Sequence, residues 1–182
     1  MRTRPRLIAA LLFPLALVAC DERAPDDMLA AEPAALATLP ENAAFNKTIA
    51  QLRSATARYH DINAAIDDGF VFLHECEDRP GEGPVGIVYV NIERLVDGIV
   101  DPSAPDALLY EPGKNGQLRL TGAELAIPYA LWTEPDPPEF LGASFQREDE
   151  FGVFGLHVWI WRHNPDGMFA TGNPRISCAA ET

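Results

Sequence analysis

Four histidines are the side chains of this sequence best suited to metal or acid–base chemistry. They are His60, His74, His157 and His163. None of them lies in an H-x-H, H-E-x-x-H or C-x-x-C pattern, so the sequence has no standard metal signature. On a straight strand, the span from His157 to His163 is roughly 20 Å, which is too far for the two to share an ion. A transition-metal site would need one histidine to meet another, or carboxylates such as Asp61 and Glu75, across the fold. In the alternative, each histidine forms hydrogen bonds at a sheet edge.

Two tryptophans are expected on the same strand face as His157. With a period of two along residues 151–162, His157, Trp159, Trp161 and His163 face one way and the aliphatic side chains face the other. If the proline-rich loop 133–150 covers this face loosely, His157, Trp159 and Trp161, together with His60, would line an apolar site for a small molecule. The alternative is that the indoles simply pack beneath a helix or a loop.

No catalytic residue can be assigned. The serines are Ser54, Ser103, Ser144 and Ser177, and none of them lies in a G-x-S-x-G pattern. The glycine patterns that bind phosphates or dinucleotides are also absent. A hydrolase that uses His157 or His74 as a base is therefore the least favoured function, because no matching nucleophile is visible.

The composition indicates a single acidic globular domain. The chain has 182 residues, with 14 basic and 27 acidic side chains and a formal charge of −13. So acidic a chain is not expected to bind the phosphate backbone of a nucleic acid. The 16 prolines and 13 glycines predict many loops.

The first twenty residues have the layout of a secretory signal. Basic residues in 1–6 precede an apolar run in 7–18, which is too short to span a bilayer. The sequence L-V-A-C at 17–20 resembles the lipobox of bacterial lipoproteins, which implies cleavage of residues 1–19 and a lipid on Cys20. The alternative is an ordinary signal peptide in which Cys20 is incidental. Residues 20–40 are rich in alanine, proline and acids and predict a flexible tether. The expected location is the bacterial cell envelope, facing outside the cytoplasm, with the membrane as partner through the lipid.

Two further cysteines are expected to pair. Once Cys20 carries a lipid, Cys76 and Cys178 are the thiols that remain. Outside the cytoplasm oxidation is the default, so a Cys76–Cys178 disulfide is predicted. The competing interpretation makes Cys76 a reactive thiolate beside His74 and Glu75.

The remaining patterns predict an α+β domain over residues 41–182. Apolar residues at helical spacing predict a helix near 41–68, with Gly69 as its C-terminal cap and Asp61 able to start a second, shorter helix after a kink. Short β-favouring runs follow, and Asn115-Gly116 favours a hairpin turn. We expect one long N-terminal helix packed on an antiparallel sheet of four to five strands, whose opposite face is partly open.

Three segments of the sequence resemble segments of other bacterial proteins. They are S-A-T-A-R-Y-H-D-I-N-A-A-I-D-D-G-F (54–70), L-H-V-W-I-W-R-H-N-P-D-G-M-F-A (156–170) and N-P-R-I-S-C (173–178). They resemble an uncharacterised group of bacterial secreted proteins and lipoproteins. The resemblance implies export and a single domain, and it assigns no catalytic residue. The expected function is a membrane-anchored lipoprotein that binds a small molecule or a metal; the alternative is a structural lipoprotein that meets an envelope protein partner.

Overall fold

The computed structural model describes the backbone of residues 33–179 and the side chains from residue 42 to residue 179. The predicted signal peptide, the predicted lipid site Cys20 and the first part of the predicted tether lie outside the described residues. The chain from Thr38 onwards forms one compact unit. No helix within residues 33–179 is long and apolar enough to cross a membrane.

The N-terminal helical region has the predicted break but an earlier start. Helix α1 is Pro33–Thr56, so it begins inside the segment that the sequence assigns to the tether. A 3-10 turn, Ala57–His60, separates it from helix α2, Ile62–Asp67. The side chain of Asp61 accepts a hydrogen bond from the backbone N–H of Asn63 and caps α2 as predicted. Gly69, with a φ of 87°, follows α2 in the left-handed conformation expected for it.

A single antiparallel sheet of six strands follows. Its strands are β1 Val71–Arg79, β2 Gly83–Val90, β3 Ala107–Pro112, β4 Leu118–Pro128, β7 Gln146–Glu148 and β8 Val153–Val158. Their spatial order is β1-β2-β3-β4-β8-β7. A separate pair is formed by β5 Glu139–Phe140 and β6 Ala143–Ser144, and the short helices are α3 Ile92–Leu95 and the 3-10 turn Tyr129–Leu131. The α+β class is confirmed, but the sheet has six strands rather than four to five. The additional strand, β7, lies in the predicted loop 133–150 and pairs with β8.

Both faces of the sheet bury apolar side chains. On one face, Ile49 and Leu52 of α1 join a cluster that contains Leu125 and Leu156. On the other face, valines of β2 pack with Leu109, Trp159 and Ile176. The segment after β8 covers part of this second face, and Asn173 donates a backbone hydrogen bond to Pro84. The second face is therefore less open than the alternation of β8 predicts.

The predicted disulfide between Cys76 and Cys178 is present, with their Cα atoms 5.3 Å apart. It links β1 to the C-terminal segment across 102 residues, and a closed loop of this length stabilises the fold by up to about 4.7 kcal/mol in the chain-entropy model. The alternative interpretation of Cys76 as a reactive thiolate is wrong, because its sulfur is already bonded.

The two edges of the sheet approach each other through side chains. Arg79 of β1 lies 3.4 Å from a carboxylate oxygen of Glu148 of β7. The ring of His74, also in β1, stacks on Phe151 just after β7, with centroids 5.7 Å apart. We call this line of contact between β1 and the β7 region the seam. The sheet curls so that its two edges meet at the seam. A cavity lies on the second face of the curled sheet, beside Val88 and Val90.

Candidate metal centre

A small cavity of about 40 Å³ lies inside the curled sheet, and all six strands contribute to its wall. Most of the wall is apolar and includes Leu73, Val88, Val90, Leu95, Phe151 and Val153. Five titratable side chains share the same cavity, namely His74, Asp106, Glu124, Glu148 and His157. A cavity of this size holds a water molecule or an ion, whereas organic ligands occupy pockets of roughly 300–1,000 Å³.

Three of these side chains converge on one point. Glu124 of β4 and His157 of β8 are directly opposite each other in the antiparallel pair, and Glu148 belongs to β7 on the other side of β8. The His157 Nε2 atom lies 3.8 Å from Glu124 Oε2 and 3.9 Å from Glu148 Oε1. One ligand atom from each of the three lies within 4.8 Å of the other two. The group therefore offers one nitrogen and two oxygens to a common centre.

The orientation of His157 suits a metal ligand. Its Nδ1 atom lies 2.5 Å from the carbonyl oxygen of Thr171. Because a carbonyl oxygen can only accept, Nδ1 carries the proton, and the lone pair of the neutral ring is on Nε2, which faces the two carboxylates. Burial lowers the pKa of His157 and outweighs the nearby Glu148 carboxylate, which acts in the opposite direction. The ring is therefore held neutral, as metal coordination requires.

Glu124 lies in an environment that opposes its ionisation. Burial raises the pKa of this carboxyl group most, and the carboxylates of Glu148 and Asp106 raise it further. Arg79 acts in the opposite direction but makes its ion pair with Glu148. Without a cation in the cavity, Glu124 therefore retains its proton near neutral pH. A cation in the cavity would favour the ionised form of Glu124.

Asp106 brings a further carboxyl group to the cavity wall. Its Oδ2 atom accepts a hydrogen bond of 2.8 Å from the backbone N–H of Ala126. Its Oδ1 atom is buried without a hydrogen-bond partner, the one such side-chain atom among the residues that the structure describes. Burial raises the pKa of Asp106 from 3.8 to about 7. An unpaired buried oxygen usually indicates a missing partner, such as a water molecule or an ion.

A glycine makes room for the two glutamates. Gly155 lies in β8 between its partners Ala126 of β4 and Gln146 of β7. A Cβ atom at this position would collide with Glu124 Oε1 and would lie 3.4 Å from Glu148 Oε1. Any other residue at position 155 would therefore displace the carboxylate of Glu124 from its present position.

The separations of the His157 nitrogen from the two glutamate oxygens are close to those of a metal site. With bonds of about 2.0–2.2 Å and tetrahedral angles, ligand atoms are about 3.3–3.6 Å apart. The observed separations of 3.8 and 3.9 Å are a few tenths of an ångström larger. Small rotations of the glutamate side chains would close this difference. The three residues would then fill three positions of a tetrahedral ion and leave the fourth position open.

The tryptophans and the other histidines do not join this group. Trp159 donates its indole N–H to the carbonyl of Ala170, and Trp161 donates its indole N–H to Thr56. Trp159 belongs to the second-face cluster, whereas Trp161 packs on the α1 side. The two indoles belong to different clusters although they border one groove, because β8 ends at Val158 and strand alternation stops there.

The predicted histidines are dispersed. The ring of His60 packs against Trp161 at a centroid distance of 4.5 Å, away from the three-residue group. His163 borders an open groove together with both tryptophans. His74 borders the cavity but does not belong to the converging group. Of the four histidines, only His157 therefore contributes to that group.

The sequence analysis missed Glu124, Glu148 and Asp106. For Glu124 a signal existed, because it is the single charged residue in the otherwise uncharged run T-G-A-E-L-A-I-P (121–128) of a buried strand. An acid in such a run is rarely buried without a partner. Glu148 is one of several adjacent acids, and nothing in the sequence distinguishes it.

Comparison with known proteins identifies no family for this chain. No protein-family model matches the chain, and neither a curated protein nor a solved structure matches it significantly.

Proposed function

We propose that this protein is a divalent transition-metal binding module that holds one ion through Glu124, Glu148 and His157. The observation that carries the proposal is the convergence of one imidazole nitrogen and two carboxylate oxygens within 4.8 Å on a buried cavity. Mixed imidazole and carboxylate ligands suit zinc, iron or manganese. A divalent ion would face two carboxylates and a neutral imidazole, with Arg79 also paired to Glu148, and these opposite charges offset much of the cost of burying them.

The proposal places this module outside the cytoplasm, anchored to the membrane by a lipid on Cys20. The L-V-A-C sequence at 17–20 supports lipidation, and the Cys76–Cys178 disulfide is the form expected after export. The anchor would restrict the domain to the membrane surface of the cell envelope. The membrane is thus the proposed partner, and nucleic acid is not.

A metal fits the observations better than an organic ligand does. The cavity of about 40 Å³ is far smaller than the pockets that organic ligands occupy. The groove beside Trp159, Trp161 and His163 is larger, about 320 Å³. Both indole N–H groups there already donate to protein oxygens, so they provide no free donor for a ligand.

A histidine-dependent hydrolase has less support. His157 Nε2 is 3.8 Å from the closer glutamate oxygen, which exceeds the hydrogen-bond distance of a general-base pair. The Nδ1 atom, which a third group would orient in a catalytic triad, bonds a backbone carbonyl instead.

The test compares two buried glutamates. Wild type, Glu124→Gln and Glu111→Gln are stripped with chelator and titrated with zinc chloride by calorimetry, and the complexes are counted by native mass spectrometry. Glu111 is the matched control, because it is buried and ionic but does not line the cavity. Thermal unfolding confirms that each variant folds.

We expect one zinc ion per chain for wild type and for Glu111→Gln, and affinity reduced at least about 100-fold for Glu124→Gln. Failure of wild type to bind zinc, iron or manganese would refute the proposal. So would equal affinity in wild type and Glu124→Gln.

A further inference from the structure

His74 enters the same cavity from the opposite edge of the sheet. It lies in β1, whereas Glu124, Glu148 and His157 lie in β4, β7 and β8. Its ring lies at the seam, stacked on Phe151 with an angle of 13° between the two ring planes. His74 is therefore the side chain of β1 that is placed to close the cavity over an ion.

The ring of His74 has the same tautomer as that of His157. Its Nδ1 atom lies 2.7 Å from the carbonyl oxygen of Glu75. A carbonyl oxygen can only accept a hydrogen bond, so Nδ1 carries a proton, and in the neutral form of the ring the lone pair is on Nε2. In both histidines at the cavity a backbone carbonyl therefore holds Nδ1 and leaves Nε2 as the atom available to a metal, which is the usual arrangement of metal-bound histidines.

The backbone around His74 is irregular on both sides. The pairing of β1 with β2 shifts register between Phe72 and His74, and again between His74 and Glu77. Bulges of this kind re-aim side chains and occur often beside functional sites. Because β1 is an edge strand, its outer side has no neighbouring ladder to break when it moves.

A second contact at the seam links β1 to Glu148. Arg79 lies 3.4 Å from Glu148 Oε2, while Glu148 Oε1 faces His157. Glu148 thus contacts both β1 and the three-residue group. Movement of β1 toward the group would bring His74 closer without separating the seam.

We propose that His74 is the fourth metal ligand, recruited from β1 when the ion binds. This inference depends on the proposed function and extends it by giving the site two imidazoles and two carboxylates. A second imidazole shifts preference toward zinc, cobalt and nickel and away from magnesium and calcium, which prefer oxygen ligands. The ion would be held in a closed site rather than one open to solvent.

The direct test is NMR of protein labelled with ¹⁵N in its histidine rings. Zinc is added to the metal-free protein, and the Nε2 resonances of all four histidines are followed. We expect His74 and His157 both to show the shift of a metal-bound nitrogen, while His60 and His163 stay unchanged. A shift of His157 alone would overturn the role of His74 and leave the proposed function intact. The absence of any shift would overturn both.

A variant series supplies the second readout. His74→Ala is compared with His163→Ala, the matched control at an exposed histidine outside the cavity. We expect His74→Ala to weaken zinc binding by about 10- to 100-fold, a loss at least as large as removing a second-shell partner causes, and to change the visible spectrum of bound cobalt. Manganese affinity should fall less than zinc affinity. Identical zinc affinities and cobalt spectra in the two variants would overturn the proposal.

Discussion

Two buried glutamates on neighbouring strands differ in how their charge is balanced. Glu111 of β3 is 2% exposed and lies 2.9 Å from Arg119 and 3.9 Å from Arg162. Glu124 of β4 is 8% exposed and faces His157 and two further acids instead. The first carboxylate is neutralised by cations that the chain itself provides. The second must keep its proton or take a cation from outside, and this difference is the basis of the proposed metal site.

The largest expected effect is on the pH dependence of the metal-free protein. The folded state keeps Asp106 protonated up to about pH 7, whereas an unfolded aspartate ionises near 3.8. Stability from this group is present at low pH and is lost as pH rises through that window. The shift corresponds to at most about 4 kcal/mol, at 1.36 kcal/mol per unit.

Urea denaturation of wild type and Asp106→Asn from pH 4 to pH 8, with chelator present, measures this effect. Relative to wild type, we expect the variant to gain stability as pH rises. Glu111→Gln should show no such gain. A constant difference between wild type and Asp106→Asn at all pH values would mean that Asp106 ionises normally.

The next effect is stabilisation by the metal. An ion that binds only the folded state stabilises it by about 2.7 kcal/mol at a concentration 100-fold above its Kd. Thermal unfolding with zinc should show an increase in Tm for wild type and Glu111→Gln and none for Glu124→Gln. Because protons must leave Glu124 first, the increase should grow from pH 6 to pH 8. An equal increase in all three proteins would indicate binding elsewhere.

Without metal, the two glutamates should respond oppositely to neutralisation. Glu111→Gln removes hydrogen bonds to charged partners and should lower the free energy of unfolding by about 2 kcal/mol. Glu124→Gln removes a carboxyl group that is costly to ionise and should leave stability at pH 8 unchanged or increased. Chemical denaturation with chelator compares them. A similar loss in both variants would remove the distinction on which the account depends.

The smallest effect concerns the space beside the carboxylates. In Gly155→Ala, the added methyl group meets the flexible end of Glu124. The side chain can move aside, so we expect stability to change by less than about 1 kcal/mol, within the range of mild core substitutions. Zinc affinity, measured by calorimetry, should fall about tenfold, which corresponds to about 1.4 kcal/mol. Unchanged affinity would place the ion away from Gly155.

Local features of the fold follow from the sequence. The helical spacing of apolar residues, the cap at Asp61 and the turn at Asn115-Gly116 each depend on neighbouring residues, and each is present. Cys76 and Cys178 could be paired because the chemistry of export leaves them few partners.

Other features depend on contacts between distant segments. Strand β7 has three residues and forms by pairing with β8, so the sequence 146–148 alone does not indicate it. The end of β8 at Val158 likewise separates two tryptophans that strict alternation would place together.

The candidate site is harder to predict from the sequence than the fold is. His157 could be selected by its residue type, but its partners come from β4 and β7 and meet only because the sheet curls. The isolated acid Glu124 in a buried strand was the strongest available signal. Nothing in the acidic run 148–150 distinguishes Glu148, since its role follows from the position of β7 beside β8.

The most direct test of the central claim is a crystal structure of the zinc-soaked protein with anomalous diffraction at the zinc edge. The account predicts one strong peak in the cavity, about 2.0–2.2 Å from Nε2 of His157 and from carboxylate oxygens of Glu124 and Glu148. An empty cavity, with zinc at another site or at none, would contradict it.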